Sequence, residues 1–99
     1  MISDVQTRSG WIEVFDTTGK KVATMSATGR SVVGVSSDFF VVDTGSWIET
    51  YDQNCRKIAT MSSTNRTVRG ASGGTFTVKY SGWIETYDRH CKKIGTRSA

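Results

Sequence analysis

The stretch Trp47-Ile48-Glu49-Thr50-Tyr51-Asp52 decides the reading of this chain, because it occurs three times. It appears earlier as Trp11-Ile12-Glu13-Val14-Phe15-Asp16 and later as Trp83-Ile84-Glu85-Thr86-Tyr87-Asp88, at a constant offset of 36 residues. Each copy runs into a turn and then a basic pair with an aliphatic neighbour: Lys20-Lys21-Val22, Arg56-Lys57-Ile58 and Lys92-Lys93-Ile94. A fixed period of this size marks a repeat architecture.

The residues between the copies are rich in Thr, Val and Ser and show no helical period, so the whole chain reads as strands and turns. Strands are expected at Trp11–Asp16, Lys21–Ser26, Ser31–Val35 and Phe39–Thr44. The second unit gives Trp47–Asp52, Lys57–Ser62, Thr67–Ala71 and Thr75–Tyr80. A partial third unit has Trp83–Asp88 and Lys93–Arg97. Residues 1–10 align with the last strand of a unit. The expectation is one all-β domain over residues 1–99, with repeats at 11–46, 47–82 and 83–99. Each complete unit would have four antiparallel strands, and the N-terminal strand (1–10) would complete the unit left unfinished at the C-terminus. Such closure removes an exposed sheet edge.

Alternation sorts side chains onto two faces. With an even-length turn, one face of the first hairpin carries Trp11, Glu13, Phe15, Val22 and Thr24. The other carries Ile12, Val14, Asp16, Lys21, Ala23 and Met25. This register makes cross-strand ion pairs of Asp16–Lys21, Asp52–Lys57 and Asp88–Lys93. Both faces hold apolar residues, so each sheet is expected to be covered on both sides. Two architectures fit: a three-sheet prism closed within one chain, or half of an oligomeric β-propeller. Propellers have about four to eight blades, so three blades per chain would require a homo-oligomer, with a dimer of six blades preferred.

Ninety-nine residues support a single modest core. The formal charge is +4, spread along the chain with no dense basic arm. The N-terminus has neither the basic nor the apolar region of a signal peptide, so a cytoplasmic product is the default. No apolar run reaches membrane-spanning length. Cys55 and Cys91 occupy the same turn of two repeats, which argues against an intramolecular disulfide and suits either a reducing compartment or a crosslink between subunits. No metal-ligand spacing is present, and no cofactor is expected. The one histidine, His90, lies in a turn of one repeat, and the glutamates recur as symmetric copies; neither pattern suits an active site, so no catalytic residue is assigned.

In organisation the chain resembles the small repeat lectins, both the threefold β-prism kind and the oligomeric propellers built from short chains. The likeness is architectural and covers the whole chain. The Gln-x-Asp-x-Asn-x-Val-x-Tyr signature of mannose-binding prism lectins is absent, so no site residue is carried over. What the resemblance implies is multivalent recognition of a glycan.

The residues themselves offer a matching candidate. Trp11, Trp47 and Trp83 recur with Glu13, Glu49 and Glu85, followed by Asp16, Asp52 and Asp88. An aromatic ring packs on the apolar face of a sugar while a carboxylate accepts its hydroxyl hydrogen bonds, and three weak sites would add by avidity. For tryptophan the favoured reading is nonetheless packing between sheets; for glutamate the two readings balance, because a buried carboxylate demands a partner. The functional expectation is a non-enzymatic, lectin-like module binding a glycan or similar polar ligand at these nine residues. The competing expectation is a structural or interaction module that oligomerises through its sheets. A weaker third is binding of RNA or another anionic polymer by Lys20, Lys21, Arg30, Arg56, Lys57, Arg66, Lys92 and Lys93. Nucleic acid is disfavoured because the strands interleave Trp with Glu rather than with basic residues.

Overall fold

The computed structural model describes residues 1–98 as eleven antiparallel strands in three sheets, with no helix among the described residues. They are β1 (Ile2–Arg8), β2 (Trp11–Asp16), β3 (Lys21–Ser26), β4 (Ser31–Val35), β5 (Phe39–Asp43) and β6 (Trp47–Asp52). There follow β7 (Lys57–Ser62), β8 (Arg66–Ser72), β9 (Thr75–Tyr80), β10 (Trp83–Asp88) and β11 (Lys93–Ser98). The ten strands expected after the N-terminal one are all present, displaced by no more than one residue at either end.

The N-terminal strand does not close the fold. β1 pairs with β2, giving a first sheet ordered β1-β2-β3. The middle sheet is β4-β5-β6-β7, and the third is β8-β9-β10-β11, complete without it. The reason lies in the connections. Residues 9–10, 44–46 and 81–82 are tight turns that join hydrogen-bonded neighbours, so the strand before each Trp must pair with the strand that Trp begins. The links 27–30 and 63–65 instead cross from one sheet to the next. The first sheet is therefore the one a strand short among the described residues, lacking a counterpart of β4 and β8.

The sheets pack face to face in series. One core joins Ile2, Ile12 and Val14 of the first sheet to Phe40, Val42 and Tyr51 of the middle sheet. A second joins Phe39, Val41 and Ile48 of the middle sheet to Phe76, Val78 and Tyr87 of the third. In β5 consecutive residues thus alternate between two cores, and Phe39, Phe40, Val41 and Val42 are all fully buried. Burying each such side chain contributes about 1.5–3 kcal/mol, and most of the large apolar residues used this way sit in or against the middle sheet.

The chemistry of the two seams is the same. The face carrying Ile, Ala and Met on one sheet meets the face carrying Tyr, Phe and Val on the next. On each receiving face an aromatic pair stacks across neighbouring strands. Phe40 lies 5.5 Å from Tyr51 and Phe76 lies 5.6 Å from Tyr87, with interplanar angles of 18° and 19°. Polar bonds cross the seams as well: Ile2 N–H donates to Ser37 O at 2.6 Å, and the buried Thr50 hydroxyl donates to Arg89 O at 2.5 Å. The Ser36 hydroxyl donates to Gly73 O, and Arg89 pairs with Asp38.

The expected register fails next to the long hairpin turns. Val14 faces Ala23 but Phe15 faces Lys21, so Val22 is squeezed out as a bulge; Thr50/Tyr51 and Thr86/Tyr87 repeat the shift. The turns hold a left-handed residue at Gly19 (φ 82°), Cys55 (φ 61°) and Cys91 (φ 59°), which tightens the loop and drives the extra residue into the strand. Lys21, Lys57 and Lys93 consequently move to the Trp/Glu face, while Val22 and Ile94 are left exposed. The cysteines are free, as expected, and burial pushes the Cys91 thiol up to about 11.

In the seam between the middle and third sheets, β4 approaches β8 closely at Gly34. A methyl group added at Gly34 would lie 3.2 Å from Ala71 N and 3.3 Å from Gly70 C, both backbone atoms. Its repeat counterpart Gly70 would meet nothing within 4 Å. Gly34→Ala is expected to destabilise the fold by about 1–3 kcal/mol, while Gly70→Ala is expected to be near neutral, in chemical denaturation. Equal effects would show that the approach of β4 to β8 does not limit the seam.

Candidate functional site

The three tryptophans open β2, β6 and β10, immediately after tight turns, and none is buried between sheets. Trp11, Trp47 and Trp83 are 53%, 51% and 52% exposed. The packing role favoured from sequence is overturned: Trp47 and Trp83 sit at the rims of seams filled by Tyr51, Tyr87 and the strands alongside, and Trp11 lies on the face of the first sheet that no other sheet covers. Near-identical exposure in three sequence contexts follows from position, since each begins its strand at the sheet end away from the bulged turn.

Two residues along, on the same face by strand alternation, stands the glutamate. Glu13 and Glu85 are buried and Glu49 is half-buried. Each is held from within the chain. Lys21 Nζ lies 3.3 Å from Glu13 Oε2, Lys57 Nζ 3.5 Å from Glu49 Oε2, and Lys93 Nζ 3.6 Å from Glu85 Oε2. These ion pairs replace the expected Asp–Lys pairs, and the bulge that moves the lysines across is the cause. The Tyr51 and Tyr87 hydroxyls donate to Glu49 and Glu85, both at 2.7 Å. In the first copy Phe15 has no hydroxyl, and Arg8 Nε approaches Glu13 Oε1 at 3.9 Å.

Two arginines complete the clusters. Arg66 Nε is 3.5 Å from Glu85 Oε1, while its guanidinium lies 4.5 Å over the Tyr80 ring. Arg30, its counterpart one period earlier, donates through Nη1 to Ser26 O at 3.1 Å and acts on the Tyr51 hydroxyl. The Nε atoms of both are buried with no hydrogen-bond acceptor in line. Burial raises the Glu85 carboxyl, but the Tyr87 hydroxyl with Lys93 and Arg66 outweighs it, and the net shift is downward. Tyr87 and Tyr51 are pushed up, first by burial and then by donating to the carboxylates.

The aspartates lie elsewhere. Asp16, Asp52 and Asp88 end their strands at the bulged turns, five residues or roughly 17 Å from the tryptophans at ~3.4 Å per residue. Their Oδ1 atoms accept turn N–H groups: Thr18 and Lys20 for Asp16, Asn54 and Arg56 for Asp52, His90 and Lys92 for Asp88. The Thr18 hydroxyl and then the Lys20 N–H hold Asp16 below the usual range; the Lys92 and His90 N–H groups do the same for Asp88. The structure therefore brings Trp, Glu, Lys and, in two copies, Tyr and Arg to one face, and leaves Asp at the other end of the hairpin. The period of Arg30 and Arg66 was the available signal for the arginines; which face the lysines occupy depended on the bulge.

Concavities of about 260, 480 and 390 Å³ lie around Thr75–Thr77, around Met1 with Asp38 and Gln53, and around Gly29 with Asp43; none of these three includes a tryptophan. The Trp47 and Trp83 clusters are open surfaces at seam rims, and the Trp11 cluster lies on the uncovered face of the first sheet. Among the described residues, no group of three or more His, Cys, Asp or Glu is placed to hold a metal. The chain matches no family model, and no curated protein matches its sequence.

A carboxylate with a depressed folded pKa stabilises the fold above its unfolded value, here an ordinary 4.5, and ceases to do so as pH falls through the folded value. Stability is thus expected to decline in acid. Glu85→Gln should flatten that decline while lowering stability at neutral pH by about 1–3 kcal/mol, since a charged hydrogen-bond acceptor is lost. Melting temperatures of both proteins from about pH 6 to pH 3 check it; parallel curves would contradict the assignment.

Proposed function

We propose that the chain is a non-enzymatic, multivalent binding module whose sheets are propeller blades, and that it holds a glycan or similar polar ligand at Trp11, Trp47 and Trp83. The observation that carries this reading is the half-exposure of all three indoles at equivalent strand-end positions, each on the face of a Glu–Lys cluster. An exposed Trp contributes nothing to a core and leaves a large apolar surface available for stacking. Glu13, Glu49 and Glu85 serve it by fixing Lys21, Lys57 and Lys93, and Arg30 and Arg66 retain buried Nε–H donors beside the clusters. Asp16, Asp52 and Asp88 enter as the acceptors that shape each hairpin end. Propeller blades, rather than prism walls, are favoured by two cores in series in place of one core shared by three sheets.

A second reading, a structural module that assembles through its sheets, is favoured by the glutamates. Their oxygens already have partners, which is architecture enough to explain their recurrence.

A glycan array that includes sulfated and sialylated members, probed with the wild type and Trp47→Ala, separates the two. The binding reading expects selective signals that fall roughly tenfold in the variant, about 1.4 kcal/mol, with the fold unchanged because Trp47 lies outside both cores. A blank array from folded protein, or signals indifferent to the substitution, would leave the structural reading in its place.

A further inference from the structure

The three tryptophans recur, but the residue directly across from each does not. Arg8 is paired with Trp11, Thr44 with Trp47 and Tyr80 with Trp83, and residues paired in this way share a face of the sheet. One strand further over, the register sets Arg66 beside Tyr80, and Arg30 is its counterpart beside Thr44. The middle and third sheets each carry a row of arginine, variable residue and tryptophan at one level. In the third sheet the row is filled from within, because the Arg66 guanidinium lies 4.5 Å over the Tyr80 ring. In the middle sheet Thr44 is short, and its hydroxyl accepts from Trp47 N–H at 3.1 Å. The place that a phenol ring takes in one row is open in the other, between an arginine and a half-exposed indole.

We propose, resting on the glycan reading above, that the recess over Thr44 between Trp47 and Arg30 binds an acidic sugar. Its ring stacks on the indole, and its carboxylate or sulfate meets the guanidinium. The arginine is free for this. Arg30 is half-buried, yet among the described residues no carboxylate lies within ion-pair distance of it, whereas Arg66 has Glu85 and the Tyr80 ring. Arg30 donates to the chain through Nη1 to Ser26 O, and its Nε–H is buried without an acceptor. A buried donor left unpaired costs free energy, which an anion at the rim would offset by giving the guanidinium a bidentate acceptor. The local charge has the matching sign. Around Trp47 one carboxylate, Glu49, stands against Lys57 and Arg30, and Thr7 is the uncharged residue on the facing sheet. Its counterpart toward the Trp83 cluster is Asp43, an acid. The backbones of the arginine and the tryptophan are two strand spacings apart, roughly 10 Å, which leaves room for one sugar ring and its acid group once the arginine reaches inward. The first sheet has no strand to supply the row's arginine among the described residues, and Arg8 is drawn to Glu13 at 3.9 Å.

The indole N–H resonances separate the three tryptophans, and Trp47→Phe assigns the middle one. Titration with sialyllactose, with lactose sulfate and with their neutral parent lactose tests the site. At least one acidic sugar is expected to shift the Trp47 signal with a Kd at least tenfold below that of lactose, and the advantage is expected to shrink as salt is raised. Which of the two acts tells carboxylate from sulfate. Arg30→Gln is expected to raise the Kd of the acidic sugar to that of lactose and to leave lactose unchanged. Thr44→Tyr installs the residue that the third row already accommodates, and is expected to weaken acidic-sugar binding at Trp47 at least tenfold; it carries the test should Arg30→Gln not fold. Equal affinity for lactose and both acidic sugars, a preference that survives either substitution, or one seated at Trp11 or Trp83 instead overturns the inference and leaves the broader glycan reading standing. A Trp47 signal indifferent to all three sugars overturns it as well, and the glycan array then decides the broader reading separately.

Discussion

Everything in this molecule hangs on the middle sheet being buried from both sides. In β5 the chain places Phe39 and Val41 in one core and Phe40 and Val42 in the other, with all four inaccessible to solvent. Neither end sheet has a comparable strand. β11 is exposed along its whole length, and β1 buries only Ile2. A domain of this size has little apolar area to spare, and spending one strand on two cores is how three small sheets share it. The stacked Phe40–Tyr51 and Phe76–Tyr87 pairs give each seam the same receiving surface.

The second constraint is the bulge at each long hairpin. A left-handed residue in the turn forces one aliphatic side chain out of register and carries the following lysine to the opposite face. That single displacement pairs Lys21, Lys57 and Lys93 with Glu13, Glu49 and Glu85. A carboxylate at the edge of an apolar seam would be costly without a partner. With a lysine, and in two copies a tyrosine hydroxyl, it becomes a fixed anion beside an exposed indole. Packing and the candidate binding surface thus share one face of the strand, where Tyr51 and Tyr87 pack in the seams and bond Glu49 and Glu85 beside the indoles.

Strand positions were legible in the sequence because the 36-residue period repeats each strand in near-identical context, and because Trp-Ile-Glu alternates cleanly. Double-sided burial was legible for the middle sheet alone; the same reading, made for every sheet, fails at the first and third, each of which has one face that no other sheet covers. Three things were not. Sheet membership depended on which links are tight turns and which cross between sheets, and residues 27–30 and 44–46 look alike in composition. The bulge depended on a φ angle at Cys55 and Cys91 that no side chain announces. The exposure of the tryptophans ran against residue type; it follows from their place at the strand ends, beyond the facing sheet for Trp47 and Trp83 and on an uncovered face for Trp11.

Amide hydrogen exchange, resolved by residue, tests the dependence on the middle sheet most directly. Amides of β5 and β6 are predicted to exchange slowest, through global unfolding, with those of β1 and β11 opening at much lower free energy. Uniform protection across the three sheets, or slowest exchange in the first or third, would contradict the account.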